Sequence, residues 1–301
     1  MLSFFGICKK SAKKLKKWLV TELPNYYDKS AIINGDGFVY VRGSKVMLTA
    51  HMDTVHEKPV KNITVEKHEK MTIISSPQGI GGDDRCGIFM IFEILRTTEM
   101  RPTILFCEDE EIGGIGSNKF CHTPYLKELS EIKFIIELDR ANASDLVYYN
   151  CGNVDFMKFC ENTTGYKTAY GTFSDICHLS PVLDVASVNI SCGYYKQHTL
   201  KEYVVYEEME NSIEKVKALL AKENEVERFD YQEDKYISDY YDFCDYKEVK
   251  IVYIEDGVLK NEEQYGVSYI ECIGNFLLDH MELSASSITE MYDLYNNKQI
   301  M

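Results

Sequence analysis

At 301 residues and 45% apolar composition, the chain can bury a core of ordinary size, as one large domain or one domain with a small appendage. Its net charge of −15 excludes nucleic acid as the main partner, because phosphate binding needs clustered Lys and Arg. No apolar run approaches the roughly 20 residues of a membrane span, so no membrane association is expected. Met1 to Cys8 is short and its basic residues follow rather than lead, which does not read as a secretory leader; a cytoplasmic location with the ten cysteines reduced is expected.

Residues 9–21 are Lys-rich, with Leu15, Trp18 and Leu19 at helical spacing. The pattern predicts a helix that docks its apolar stripe on its own domain. Asn34-Gly35-Asp36-Gly37 is turn chemistry, Phe38 to Val41 a strand, and Lys45 to Ala50 the strand that ends at His51. Residues 62–66 and 70–75 alternate as a hairpin does. Pro77 to Gly82 leads into Asp83-Asp84-Arg85-Cys86-Gly87, and a helix follows with Ile88, Ile91, Phe92 and Leu95 on one face. Thr103 to Cys107 is a short apolar strand running into Glu108-Asp109-Glu110-Glu111-Ile112-Gly113-Gly114. Residues 132–138 form another buried strand with Asp139 at its end; residues 185–191 form a further strand, and 203–222 a long helix. Strands alternating with helices predict an α/β fold, a three-layer α/β/α sandwich around a mainly parallel, mixed sheet. Composition turns acidic and Tyr-rich near residue 223, so the expected division is a domain over 1–222 and an extension or small α+β module over 223–301.

His51 and Asp53 emerge where a strand ends, and in open α/β sheets ligand sites form outside the carboxyl ends of strands. Asp83, Glu110, Glu111, Asp139 and His198 each follow a strand or a Gly-rich turn as well. Alone, each has an ordinary explanation as a cap, a solvated loop or a surface pair. Together, two His with several carboxylates suit divalent zinc, cobalt or manganese, and no thiolate spacing suggests a structural zinc site. Adjacent Glu residues on an irregular loop can divide the work, one binding metal and the other moving a proton. Asp53 suits a hydrogen bond to the far nitrogen of His51. His56, His68, His122, His178 and His280 show no partner spacing and read as structural, as do Cys86 and Cys107.

His51-Met52-Asp53-Thr54-Val55, Gly82 to Gly87, Glu110-Glu111-Ile112-Gly113, Leu138-Asp139-Arg140 and the late His198 resemble, in family order, the co-catalytic di-zinc exopeptidases, which include peptidase T and the glutamyl and leucyl-type aminopeptidases. The resemblance covers roughly residues 10–220. It implies two divalent metal ions, Zn2+ foremost and Co2+ or Mn2+ next. His51 and Glu111 would each ligate one of the ions, and Asp139 would ligate one ion and His198 the other; Asp83 would bridge them, Asp53 would orient His51, and Glu110 would be the general base. It also implies a cis peptide between Asp83 and Asp84. Thr172-Phe173-Ser174-Asp175 resembles a loop near substrate, making Thr172, Ser174 and Asp175 substrate-binding candidates, with Tyr195 (or Tyr194) facing an oxyanion. About sixty residues separate Asp139 from His198, too few for the lid or dimerisation domain of two-domain relatives, so the compact form is expected and the oligomeric state stays open. The implied activity is exopeptidase on peptides or small N-acyl compounds, foremost an aminopeptidase. A deacylase or carboxypeptidase on the same site is the alternative, and a catalytically inactive scaffold a further one.

Overall fold

The computed structural model describes residues 3–56 and 58–234, and beyond them two strands. The lysine-rich start folds as α1 (Phe4–Cys8) and α2 (Ala12–Glu22). Leu15 and Leu19 are fully buried, Lys13, Lys14 and Lys17 face solvent, and Trp18 packs on Phe92 with ring centroids 4.8 Å apart. The basic helix thus docks on its own domain.

A hairpin follows, β1 (Ile32–Gly35) and β2 (Phe38–Val41), turned by Gly37 at φ 84°. Then come β3 (Val46–His51), the hairpin β4 (Thr64–Lys67) and β5 (Thr72–Ser75), α3 (Gly82–Thr97) and β6 (Thr103–Cys107). Next are α4 (Ile115–Phe120), β7 (Phe134–Arg140), β8 (Asp145–Val147), α5 (Val154–Thr164) and β9 (Lys167–Ala169). The unit closes with α6 (Ile176–Leu183), β10 (Ser187–Ser191), β11 (Tyr194–Tyr195), β12 (Tyr203–Val205) and α7 (Tyr206–Ala221).

Eight strands form the main sheet in the order β1-β2-β6-β3-β7-β10-β8-β9. Its centre, β6-β3-β7-β10, is parallel, and antiparallel pairs flank it at β2·β6 and β10·β8. β3, β6 and β10 are buried along their whole length, which is why they read as unbroken apolar runs rather than alternating ones. Leu48 and Ala50 face a core shared with α2, α3, α5 and α7, while Met47 faces the opposite core with Phe120, Ile176 and Leu179 of α4 and α6. Helices therefore cover both faces, and the three-layer mixed sandwich is the architecture observed. A second sheet, β11-β12-β5-β4, stands apart from the first.

The interval from Asp139 to His198 holds α5, α6 and β8 to β11, richer than its length suggests; most of it extends the main sheet. The helix expected from 203 starts at Tyr206, because residues 203–205 pair with β5 instead. The first unit runs to Asp234, past the compositional break at 223. Phe229 sits among Phe134, Phe156 and Phe159, and Lys133 Nζ donates to the carbonyls of Glu223 (2.8 Å) and Val226 (2.7 Å). In the second unit, Lys235–Met301, β13 (Lys250–Glu255) pairs antiparallel with β14 (Val258–Glu263). The apolar run at 267–273 and His280 lie outside the described residues. Among the described residues no helix is long and apolar enough to cross a membrane.

Helix α3 meets the end of β7 through Gly87, where a Cβ would stand 2.0 Å from the carbonyl oxygen of Leu138. Helix propensity alone favours Ala here by about 1 kcal/mol, whereas overpacking costs about 1–3 kcal/mol. Gly87→Ala is expected to lower the urea midpoint; an unchanged or raised midpoint would show that the helix can move off the strand freely.

Candidate metal centre

The parallel register sets β3, β6 and β7 side by side, so that His51 pairs with Cys107 and the residues after each strand share one edge of the sheet. His51 is 1% exposed; its N–H donates to Asp84 Oδ2 at 3.1 Å. The buried Arg85 donates through Nη1 to the carbonyls of Met52 and Asp53, fixing the loop that follows β3. Asp53 accepts from the N–H groups of Glu110 (3.2 Å) and Glu111 (3.1 Å), and so joins that loop to the one after β6.

Asp83 is placed from the other side. Gly81, at φ 65°, and Gly82 precede it; a Cβ at Gly82 would lie 2.8 Å from Tyr194 Cβ, so the close approach requires glycine. The buried Glu202 accepts from the N–H of Gly81 at 2.9 Å and of Asp83 at 3.0 Å, and meets His56 Nε2 at 2.8 Å. The Asp83–Asp84 peptide is cis, as the resemblance implies. Asp139 is held by Asn189, whose Oδ1 accepts the Asp139 N–H at 2.9 Å, and its oxygens accept from Ser174 Oγ and Tyr194 Oη, each at 3.2 Å. His198 comes from the loop between β11 and β12 with φ 60°, a left-handed position that His adopts more readily than most residues.

These elements bring His51, Asp83, Glu111, Asp139 and His198 together. Asp83 Oδ1 is 2.8 Å from His51 Nε2, which is also 3.4 Å from Asp139 Oδ1. Asp83 Oδ2 is 3.2 Å from His198 Nε2, which is 3.0 Å from Glu111 Oε2. One carboxylate therefore stands between two imidazoles, each with a further carboxylate beside it. Asp84 also lies within metal-ligand range of His51 and Asp139, but its oxygens already accept the N–H groups of His51 and Gly87. Asp53 is 3.4 Å from His51 Nδ1, an ion-pair distance outside good hydrogen-bond geometry; its firm partners are the two Glu amides rather than the imidazole the sequence suggested.

The charges explain what such a site requires. Burial and the neighbouring Asp83 push Asp139 up to about 6 and Glu111 to about 7. Burial and Asp139 push Glu110 to about 9. Burial opposes charge on His51, yet Asp139, Asp53 and Asp83 hold it well above the ordinary imidazole range. The hydrogen bond to Asp83 raises His198 to about 9. Crowded carboxylates of this kind call for positive charge. Glu111 Oε1 is buried without a hydrogen-bond partner, and the N,O donor set matches zinc, cobalt or manganese. The residues thus fit divalent cations.

A cleft of about 170 Å³ opens above them, lined by Asp83, Glu110, Asp139 and His198 and walled by Thr172, Phe173 and Tyr149, among others. Of the substrate candidates, Thr172 and the alternative Tyr194 line it. Ser174 is fully buried and supports Asp139 from below; Asp175 is fully buried at the start of α6. Tyr195 turns away to donate to Glu208 Oε2 at 2.6 Å, and Tyr194 takes the place facing the site. Glu202 and Asn189 are the supports that sequence reasoning missed, and neither carries a motif signal of its own; Arg85 stood inside the Asp83 motif without an assigned role.

In the metal-free chain Glu110 keeps its proton to about pH 9 against an ordinary 4.5, and His198 to about 9 against 6.5. The folded state then binds more protons than the unfolded one between about pH 7 and 9, so its stability falls as pH rises through that window. Cations take over the role of those protons. The thermal-midpoint gap between cation-loaded and metal-free protein is expected to widen from pH 7 to pH 9; a constant or narrowing gap would contradict this electrostatic account.

Comparison with known proteins agrees with this geometry. Residues 39–172 match the model of Peptidase family M28. No curated protein gives a significant match. Among solved structures, the aminopeptidase PepT of Bacillus cereus superposes with a TM-score of 0.57 at 14% identity, covering 73% of this chain and 97% of its own. A tripeptidase from Staphylococcus aureus gives 0.56 at 13% identity, covering 74% and 97%. An aminopeptidase from the archaeon Desulfurococcus kamchatkensis gives 0.53 at 13% identity, covering 72% and 93%. At such identities the superpositions show a common fold. Residues 39–172 thus carry a pattern similar to that of Peptidase family M28, on a fold shared with these aminopeptidases.

Proposed function

We propose that the chain is a metal-dependent exopeptidase, an aminopeptidase acting on short peptides, with two divalent ions, Zn2+ foremost. The observation that carries this reading is Asp83, with one oxygen toward His51 and Asp139 and the other toward His198 and Glu111. In this reading His51 and Asp139 would hold one ion, Glu111 and His198 the other, and Asp83 would contribute to both. Bound ions of this kind polarise a scissile carbonyl and lower the pKa of water. Glu110 lines the same cleft, and among the described residues no hydrogen bond holds its carboxylate. It is the group free to take a proton from the attacking water and pass it to the leaving amine. Burial first, and then repulsion from Asp139, raise Glu110; cations at Asp139 would relieve the second of these and draw Glu110 back towards the ordinary carboxylate range.

Asp53 acts by position: holding the amides of both Glu110 and Glu111, it sets which of the two faces the cations. Tyr194 steadies Asp139, and Thr172 bounds the substrate side. Deacylation of N-acyl amino acids or carboxypeptidase action would use the same groups. The complete ligand set beside an uncommitted Glu favours catalysis over a scaffold role. Unpaired cysteines among the described residues support a reducing, cytoplasmic location.

Glu110→Gln is expected to lower peptide hydrolysis by about 10²–10⁴-fold, the usual weight of a positioned general base, while elemental analysis still finds about two ions per chain. Full activity with metal retained would remove Glu110 from the mechanism. Asp83→Ala is expected to lose both ions together; loss of only one would show that Asp83 does not bridge.

A further inference from the structure

The proposed chemistry uses the charged groups Asp83, Glu110, Asp139 and His198 of the cleft lining. One charged side chain of that lining remains, Arg140. It follows Asp139 directly at the end of β7 and is about three-quarters buried, at 24% side-chain exposure. Its Nε and Nη2 both reach a single oxygen, Asp145 Oδ2, at 3.3 and 3.2 Å, and that oxygen also accepts from Asn142 Nδ2 at 2.9 Å. Asp145 is itself anchored, since its N–H donates to Ser191 Oγ at 2.8 Å. The guanidinium is therefore held side-on by a fixed carboxylate. Its Nη1 has no hydrogen bond among the described residues.

A half-committed guanidinium next to the proposed metal-ligating Asp139 is built to take a second anion. Its fork matches a carboxylate in a way an ammonium cannot. The cleft's carboxylates are all engaged by the proposed cations or the proton, so no lining carboxylate is left over to select for a substrate's positive charge. We infer that Arg140 recognises a carboxylate of the substrate within a residue or two of the scissile bond, making acidic or very short peptides the preferred class. The carboxylate comes either from a Glu or Asp side chain or from a free C-terminus. Asp145 is the positioning residue that orients Arg140. This inference rests on the hydrolase reading of the same cleft.

The test uses the full chain reconstituted with zinc and matched substrate pairs: Glu-Ala-amide against Gln-Ala-amide, Ala-Glu-amide against Ala-Gln-amide, and Ala-Ala-Ala against its amide. In at least one pair, the charged member is expected to have about tenfold or more higher kcat/KM, the discrimination a buried charge-assisted pair provides. Which pair responds identifies the source of the carboxylate. In Arg140→Ala the ratio within that pair collapses towards one, and in Arg140→Lys it is intermediate. General damage lowers both members alike and leaves the ratio in place. No preference in the wild type, or a preference that survives Arg140→Ala, overturns the inference. If the wild type cleaves no peptide, the hydrolase reading falls on its own, and equilibrium binding decides Arg140 separately. Acetyl-glutamate bound about tenfold more tightly than acetyl-glutamine, with the difference lost in Arg140→Ala, supports the anion site; equal binding of the two refutes it.

Discussion

Buried negative charge is the constraint around which this domain is arranged. Asp83, Glu110, Glu111 and Asp139 converge at one edge of a sheet, three of them pushed upward by burial and by one another. Asp83 alone is drawn below the ordinary carboxylate range: burial works against its charge, but His198 and His51, one on each oxygen, outweigh it. Such a cluster collapses outward unless each member is fixed by something other than its neighbours. The surrounding structure supplies those fixings.

They come mostly from a second set of carboxylates that face backbone rather than the centre. Glu202 holds the amides of Gly81 and Asp83, Asp84 those of His51 and Gly87, and Asp53 those of Glu110 and Glu111. Each ties two separate loops or the two ends of one turn, and a carboxylate accepting amide hydrogens is among the stronger neutral-to-charged contacts available. The doubled acids in the sequence thereby acquire distinct meanings. In Asp83-Asp84 the first looks inward and the second braces the strand end. Arg85 completes the frame with carbonyl contacts on the opposite side of the loop.

The parts legible in the sequence were those with short-range physical signatures. β3, β6 and β7 show as apolar runs because both faces of a central parallel strand are covered. The convergence of His51, Glu111 and Asp139 then follows from strands ending at the same edge. What escaped depends on long-range pairing. Tyr194 and Tyr195 lie on opposite faces of β11, and the register Tyr194↔Val204 decides which one meets Asp139; one residue of slip would exchange them. Glu202 is an ordinary acid until the loop before β12 folds back over Gly81. Ser174 and Asp175 read as loop residues, and only the packing of α6 buries them. Residues 223–234 are polar in sequence, yet they attach through backbone bonds such as Phe229 N–H to the Lys133 carbonyl, which composition does not record.

The origin of His198 has a mechanical consequence. The other converging residues hang from the main sheet and α3, whereas His198 rides on the β11–β12 loop of the small sheet. In the proposed reading, an ion shared by Glu111 and His198 is a rivet across the seam between two sheets. Short strands such as β11 and β12 have few hydrogen bonds of their own to resist opening. Loading the centre then stiffens the small sheet as well as arming the cleft, and the amide protons of β11 and β12 become a gauge of occupancy that needs no substrate.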